Sequence, residues 1–476
     1  MEKRVAIVGA GWVGIGCLST LLKEGHHVDL FERNDDVGGV WHPRNCYAGL
    51  SLHGPALTVE YHDFPPPQGV SRSDRLTSAQ VYQYLKAYCA ARGLYAHMNF
   101  QTAIERISYD SKTKKCRILL HKQDEPLEYD YVVYTHGSAD RTVPDIKGTF
   151  SGQVYHSFDV NRSVLESLVA DKKRVTIVGG SKTATEMVSS FHLRGHPTTW
   201  LYRKNYWFLD ESAYQRILRQ ALLGKKVGSL YKLFYRLGDE LSIGFPQLTF
   251  LLWRLGGVIH TYGKKHTDFK KFHGGRIDRE QMAILKECNA RGGVVGEIDR
   301  FCPPGLMLTD GRVIESDCVI FCTGSAGCRS LVSVDVDGQA FPIHSVKRLY
   351  RARVIPEIPK LIFTANSDFT IGTVNGLIYG NWISKYMAAN FESDVLRANA
   401  TDYPAPFFGS HFLFDSSQYF LAREFGMLEP FFRSGELNRD EVAAWRWQYE
   451  FGGAPLRPFE FKDLKPVGQQ GKSSTA

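Results

Sequence analysis

The sequence predicts an α/β protein made of two doubly wound units, and three observations predict it. An apolar strand ending on glycine occurs twice, as Arg4-Val5-Ala6-Ile7-Val8-Gly9 and as Arg174-Val175-Thr176-Ile177-Val178-Gly179. Each copy is followed by an amphipathic helical stretch and then by a second strand that ends in charge. A later pair also matches: Asp130-Tyr131-Val132-Val133-Tyr134-Thr135-His136-Gly137 and Asp317-Cys318-Val319-Ile320-Phe321-Cys322-Thr323-Gly324. Both place an acid before a buried strand and a glycine at its end. Strands alternating with helices in this way build a parallel sheet covered on both faces.

The first turn, Gly9-Ala10-Gly11-Trp12-Val13-Gly14, is a full G-x-G-x-x-G. Gly9 permits the tight turn, Gly11 lets the backbone approach a pyrophosphate, and Gly14 allows close packing of helix on strand. The helix opening there offers unpaired N–H groups and a positive dipole end to phosphates. The next strand, His27-Val28-Asp29-Leu30-Phe31, is closed by Glu32. A carboxylate at such a strand end accepts hydrogen bonds from ribose hydroxyls and repels a 2′-phosphate.

The second turn, Gly179-Gly180-Ser181-Lys182-Thr183-Ala184, has serine at the second glycine position and alanine at the third. Small residues still permit close approach, so Gly179, Ser181, Lys182 and Thr183 are candidate phosphate contacts. The strand after it, Thr198-Thr199-Trp200-Leu201-Tyr202, runs into Arg203-Lys204 where the first unit has Glu32. A guanidinium there can pair with a 2′-phosphate, which points to NADPH over NADH. The competing reading is a charged pair solvated at a strand end.

The chain has 476 residues, enough for two or three domains. Its 43% hydrophobic and 23% charged content suits a soluble enzyme, and a net charge of +8 is modest at this length. No run of Lys and Arg suggests a nucleic-acid arm. Nine cysteines lack metal-ligand or disulfide-framework spacing, so no metal and a reducing, cytoplasmic compartment are expected. The first residues lead straight into a strand and do not read as a signal peptide. The longest apolar stretch, around Leu241 to Trp253, is broken by Gly244 and Pro246, short of the roughly 20 residues that span a bilayer.

Further motifs add a resemblance. Gly38-Gly39-Val40-Trp41 follows Glu32, and Phe150-Ser151-Gly152-Gln153-Val154-Tyr155-His156-Ser157 precedes the second turn. With the two glycine turns, these make the chain resemble the flavin-containing monooxygenase family, whose fingerprint is F-x-G-x-x-x-H. The related Baeyer–Villiger enzymes carry a longer fingerprint with a tryptophan, which is missing after His156 here. Phe321-Cys322-Thr323-Gly324 is similar to the family's F-A-T-G segment. The resemblance implies FAD on the first unit, with Gly39 and Trp41 near it, and NADPH on the second, with His156 in a linker near the nicotinamide. It also implies a cycle in which NADPH reduces FAD and dioxygen then gives a C4a-hydroperoxyflavin. That species passes one oxygen atom to a small organic substrate, an amine nitrogen or sulfur first and a carbonyl as the alternative. The animal-type members have an asparagine ten residues before the Asp63-Phe64-Pro65 segment, where this chain has His53 within Leu50-Ser51-Leu52-His53. The plant auxin-forming members read similarly. His53 could contact the reacting centre or cap a turn, and both readings stay open.

The expected organisation nests the second unit in the first. Residues 1–160 begin the FAD domain and 161–315 form the NADPH domain, with a helical insertion at about 211–262. Residues 316–467 return to the FAD domain, and 468–476 read as a disordered tail. Leucines such as Leu230, Leu233, Leu237, Leu248, Leu252 and Leu255 give the insertion its helical face, with peripheral membrane contact left open by Lys225, Lys226, Lys232 and Arg236. Three other functions compete. A dithiol reductase needs a cysteine pair near the flavin, and the first unit offers only the separated Cys17, Cys46, Cys89 and Cys116. A flavin dehydrogenase or oxidase without oxygen transfer remains open, and a non-catalytic binding protein is opposed by the intact first turn.

Overall fold

The computed structural model describes residues 2–56, 61, 64, 69–70, 75–135, 141, 143–210, 251, 254–255, 257, 259–263, 276–324, 332–350, 353–364 and 372–402. Its frame is a pair of five-stranded parallel sheets. In chain order the strands are β1 (Arg4–Val8), β2 (His27–Phe31), β3 (Met98–Asn99), β4 (Tyr131–Tyr134) and β5 (Gln153–His156). They continue as β6 (Val175–Val178), β7 (Thr198–Tyr202), β8 (Gly293–Val295), β9 (Cys318–Phe321) and β10 (Leu361–Phe363). The first sheet runs β10-β4-β1-β2-β3 and the second β5-β9-β6-β7-β8. The two orders correspond strand for strand, so the repeat seen in the sequence is a repeat in space.

The same side chains tie both copies. Asp130 accepts the Arg4 backbone N–H at 2.8 Å, and Asp317 accepts that of Arg174 at 2.8 Å. Each acid before the later strand thus satisfies the backbone at the start of the central one. Val5, Ala6 and Ile7 are fully buried, as are Val319, Ile320 and Phe321. This suits strands with both faces covered by other elements, which read as unbroken apolar runs.

Five helices matter for the site: α1 (Trp12–Lys23), α2 (Ser78–Ala91), α3 (Lys182–His192), α4 (Arg279–Gly292) and α5 (Gly372–Ala389). α1 follows β1 and α3 follows β6, each starting where its glycine turn ends. The backbones of α1 and α5 touch at Gly16 and Gly376, where a Cβ on Gly16 would come within 2.7 Å of Gly376 Cα.

The second sheet lies between β4 and β10 in the chain, which makes the first unit discontinuous. Its strands start at Gln153 and end at Phe321, outside the expected 161–315 on both sides. The reason is pairing: β5 and β6 both lie alongside β9. Most of the expected helical insertion lies outside the described residues, but its far edge is extended. Ile259–His260 is a strand antiparallel to Phe208–Asp210, which pairs in turn with Arg276–Ile277. The leucines expected on its helical face at 230–248, and the tail at 468–476, lie outside the described residues. Among the described residues no helix is long and apolar enough to cross a membrane, and no cluster of metal-ligating side chains occurs.

Candidate functional site

The first turn is built as its glycines require. Gly9 has φ of 101° and donates its N–H to Phe31 O at 2.8 Å, which sets the turn against the end of β2. A Cβ on Gly14 would overlap the Gly9 carbonyl oxygen, so only glycine lets α1 start this close to β1. Gly11 differs, because a Cβ there would meet nothing nearer than Gly39 Cα at 3.8 Å. Gly11 also begins α1 without a side-chain cap. The turn therefore opens on the side of Gly11 and Gly39, where an approaching pyrophosphate would meet backbone N–H groups.

Glu32 is buried beside this opening. It accepts the Ala10 N–H at 2.8 Å and two bonds from Asn34, at 2.8 and 2.7 Å. Its carboxylate is thus fixed at the edge of the turn, where sequence placed it. Trp41 is buried against Trp12, and its indole N–H has no partner among the described residues. An open glycine cradle, a fixed carboxylate and a buried free donor together fit the adenosine diphosphate part of a flavin dinucleotide.

The second turn is formed despite its degenerate spelling. Gly179 has φ of 139°, and a Cβ there would lie 2.5 Å from Cys322 O. Trp200 Nε1 donates to Gly179 O at 2.7 Å and the Tyr262 hydroxyl to Gly180 O at 2.8 Å. Ser181 opens α3 without capping its own helix by its side chain.

Register corrects the equivalence of Glu32 with Arg203. Val8 lies beside Phe31 in the first sheet, and Val178 beside Leu201 in the second. The position matching Glu32 is therefore Tyr202, and Arg203 matches Arg33. Tyr202 is buried and donates its hydroxyl to Asn289. The Glu32 position thus carries no carboxylate here, and Arg203 lies one residue beyond it. Its side chain is 76% exposed, with Glu297 at 3.8 Å. The adjoining Lys204 is half-buried.

Two of the expected cofactor-binding residues have partners within the protein. Lys182 is buried, with its ammonium 3.3 Å from Glu186 and 3.5 Å from Gln281. Its charge is held one turn along α3 by a carboxylate. His156 is buried at the end of β5, accepting the Phe158 N–H at 3.3 Å and meeting Gly324 O at 2.9 Å. An Nδ1 that accepts leaves Nε2–H to donate to the carbonyl, so the ring is neutral and both nitrogens serve the backbone. Burial pushes its pKa below the usual histidine value. Phe150 and Gly152 of the fingerprint, like His156, make contacts that hold the frame. Phe150 stacks on Phe301 at 5.4 Å, and a Cβ on Gly152 would overlap the Phe150 ring and Asp317 O.

His53 lies in the strand Ser51–Pro55, paired antiparallel with Arg75–Thr77, and its side chain lies outside the described residues. That strand is held by residues the sequence reading missed. Ser51 donates to Glu186 at 3.3 Å, Arg75 donates to Leu52 O at 2.7 Å and to Asp278 at 3.0 Å, and Tyr47 donates to Glu186. Glu186 at the fourth position after Lys182 was the available signal, since that spacing pairs charges on one helix face. Among the described residues the cysteines form no disulfide. Burial raises the thiol pKa of Cys17, Cys89 and Cys116 to about 12 and that of Cys46 to about 11, and all four are free. Such thiols stay protonated and unreactive.

Two linked dinucleotide units, with no disulfide among the described residues, have the architecture of nucleotide-dependent flavoprotein oxidoreductases. A family model for pyridine nucleotide-disulphide oxidoreductases matches residues 3–228. The chain is 26% identical to a 4-hydroxybenzoate brominase (decarboxylating) of Marinomonas mediterranea, over 68% of this chain and 63% of that protein. It is 25% identical to a putative flavin-containing monooxygenase 2 of Arabidopsis thaliana, over 82% of this chain and 87% of that protein. The fold is similar to that of OTEMO solved in complex with FAD and NADP, with a TM-score of 0.61 at 16% identity over 82% and 86% of the chains. The chain is thus similar, at a distance, to the class B flavin monooxygenases.

Proposed function

We infer that this chain is an FAD-dependent monooxygenase that consumes NADPH and dioxygen and oxygenates a small organic substrate. The observation carrying this reading is the pair of matched nucleotide turns with opposite chemistry at their strand ends. Glu32 suits an adenosine ribose without a phosphate, whereas the second unit has Tyr202 in place of that carboxylate and keeps an arginine, Arg203, at the position of Arg33. The relation to OTEMO, whose structure holds FAD and NADP, supports the same pair of cofactors.

Gly9, Gly11 and the start of α1 would hold the pyrophosphate of FAD, with Glu32 on the ribose. Gly179, Ser181 and Thr183 would receive the NADPH phosphates and Arg203 its 2′-phosphate. Bound flavin supplies hydride acceptance and oxygen activation, and the protein supplies position and shelter. No cysteine nucleophile serves in this chemistry.

The substrate we favour presents a soft nitrogen or sulfur atom, because the tryptophan of the longer Baeyer–Villiger fingerprint is absent after His156. Oxygen insertion beside a carbonyl is the second reading. A cytoplasmic location fits the free, reduced thiols. The test is a purified protein supplied with NADPH, oxygen-18 gas and a panel of amines, sulfides and ketones. Label in an amine or sulfide product supports the favoured reading, and label in an ester supports the second. NADPH oxidation with label only in hydrogen peroxide, across the panel, would leave an oxidase.

A further inference from the structure

A buried ion pair lies where the two units meet. Lys182 and Glu186 share one face of α3, and both are almost wholly buried. Lys182 is the first residue of the helix, where the positive dipole end disfavours a cation. Removing two charges from water is also costly unless each is well partnered. Glu186 meets both demands, and it does so with donors from the other unit.

The loop from Tyr47 to Ser51 crosses from the first unit onto α3. The Tyr47 phenol donates to one Glu186 oxygen and the Ser51 hydroxyl to the other. Between them, the Ala48 N–H donates to Val160 O at 2.7 Å. Gly49 has φ of 90°, and a Cβ there would overlap the Ser190 hydroxyl and lie 3.0 Å from Glu186 O. The loop therefore lies directly on the helix and can bear no side chain at that point. The Thr183 hydroxyl stands beside the Tyr47 phenol. Burial first, then the neighbouring Glu186 carboxylate, push the phenol well above its ordinary pKa, so it remains a donor across the working pH range.

We propose that Glu186 is a positioning residue that couples nucleotide occupancy of the second turn to the strand Ser51–Pro55, which carries His53. The proposal rests on the reading that the second turn binds NADP(H). An anion at the start of α3 draws on Thr183 and Lys182, the two groups that touch Tyr47 and Glu186. Their rearrangement is passed through Tyr47 and Ser51 into the strand, which Arg75 ties to Asp278 through Leu52 O. The strand is thus set for the flavin side only when the nucleotide is in place.

Hydrogen–deuterium exchange on the full-length holoprotein tests this, with and without NADP⁺. In the wild type, NADP⁺ should slow exchange both at residues 179–185 and at 47–56. Tyr47→Phe keeps the ring and removes the donor. It should retain protection at 179–185, lose the added protection at 47–56, and release several-fold more hydrogen peroxide per NADPH. Glu186→Gln keeps an acceptor and should preserve part of the effect, whereas Glu186→Ala should abolish it. If Tyr47→Phe does not fold, Ser51→Ala removes the second arm alone and should weaken protection at 47–56. Undiminished NADP⁺ protection at 47–56 in the folded variants overturns the proposal, as does its absence in the wild type. Failure of NADP⁺ to protect 179–185 in the wild type would instead overturn the nucleotide assignment itself.

Discussion

Gly11 and Gly14 belong to one motif but differ in what a side chain would meet, and this separates binding from folding. A valine at Gly14 would drive into the Gly9 carbonyl, so Gly14→Val should yield little folded protein. Gly11 has an ordinary extended backbone, with φ of −74°, and open space beside its Cα. Gly11→Val should therefore purify with wild-type far-ultraviolet dichroism but without most of its FAD. Full flavin occupancy in that variant would show that phosphates do not approach the turn there. Arg203 allows a similar separation of nucleotides. A hydrogen bond to a charged group is worth about 1.5–3 kcal/mol, so Arg203→Ala should weaken NADPH by roughly 10- to 150-fold and leave NADH nearly unchanged. Flavin reduction rates against the concentration of each nucleotide give the answer, and equal weakening of both would assign Arg203 to the fold. The identity of these residues was legible because glycine turns and strand-end charges are local signals. The register was not, because the alignment of β7 with β6 is set by pairing between strands separated by a whole helix. That hidden step put Tyr202 at the Glu32 position.

At the scale of elements, β5 and its flanks show how a family fingerprint can be a joint in the frame. Phe150 stacks on one neighbour, Gly152 clears the path beside Asp317, and His156 closes the end of the strand on Gly324. Because the folded ring is held neutral, its pKa lies below the reference value of 6.5. Above about pH 6.5 both folded and unfolded states keep this ring neutral, and its contribution to stability is fully present. As pH falls below that value the unfolded chain takes up the proton more readily, and stability is lost through the folded pKa. Denaturant melts between pH 7.5 and 5.5 should show a decline in stability that His156→Gln makes shallower. A decline of equal slope in the variant would place the titrating group elsewhere. Sequence showed that this segment joins two units but not what its histidine does. Its partners Phe158 and Gly324 become neighbours only once β5 lies beside β9. The cluster around Glu186 was hidden for the same reason, since Tyr47 and Ser51 approach it from far along the chain.

For the whole molecule, nesting has a consequence that the motifs alone do not suggest. The core under the first sheet joins Val5, Ile7 and Val133 to Ile362, Tyr379, Ile383 and Leu396. β10 covers the outer edge of β4, and α5 packs on α1 through Gly16 and Gly376. These pieces arrive only after the second unit has been made. Closing contacts across so long a loop costs chain entropy that the buried core must offset. Residues 1–150 contain the glycine turn, Glu32, Gly39 and Trp41, yet they lack the fifth strand and the helix that seats α1. Residues 151–324, by contrast, hold all five strands of the second sheet together with α3 and α4. Expressed separately, the first fragment should fail to retain FAD. The second should fold and bind NADP⁺, with a lowered melting temperature because Glu186 and Lys182 lose Tyr47 and Ser51. Flavin absorbance of the first fragment and thermal melts of the second, with and without NADP⁺, check both halves. A yellow, stable first fragment would mean that the local motif builds the flavin site unaided. The returning segment would then serve the oxygenation chemistry or the substrate instead of the cofactor.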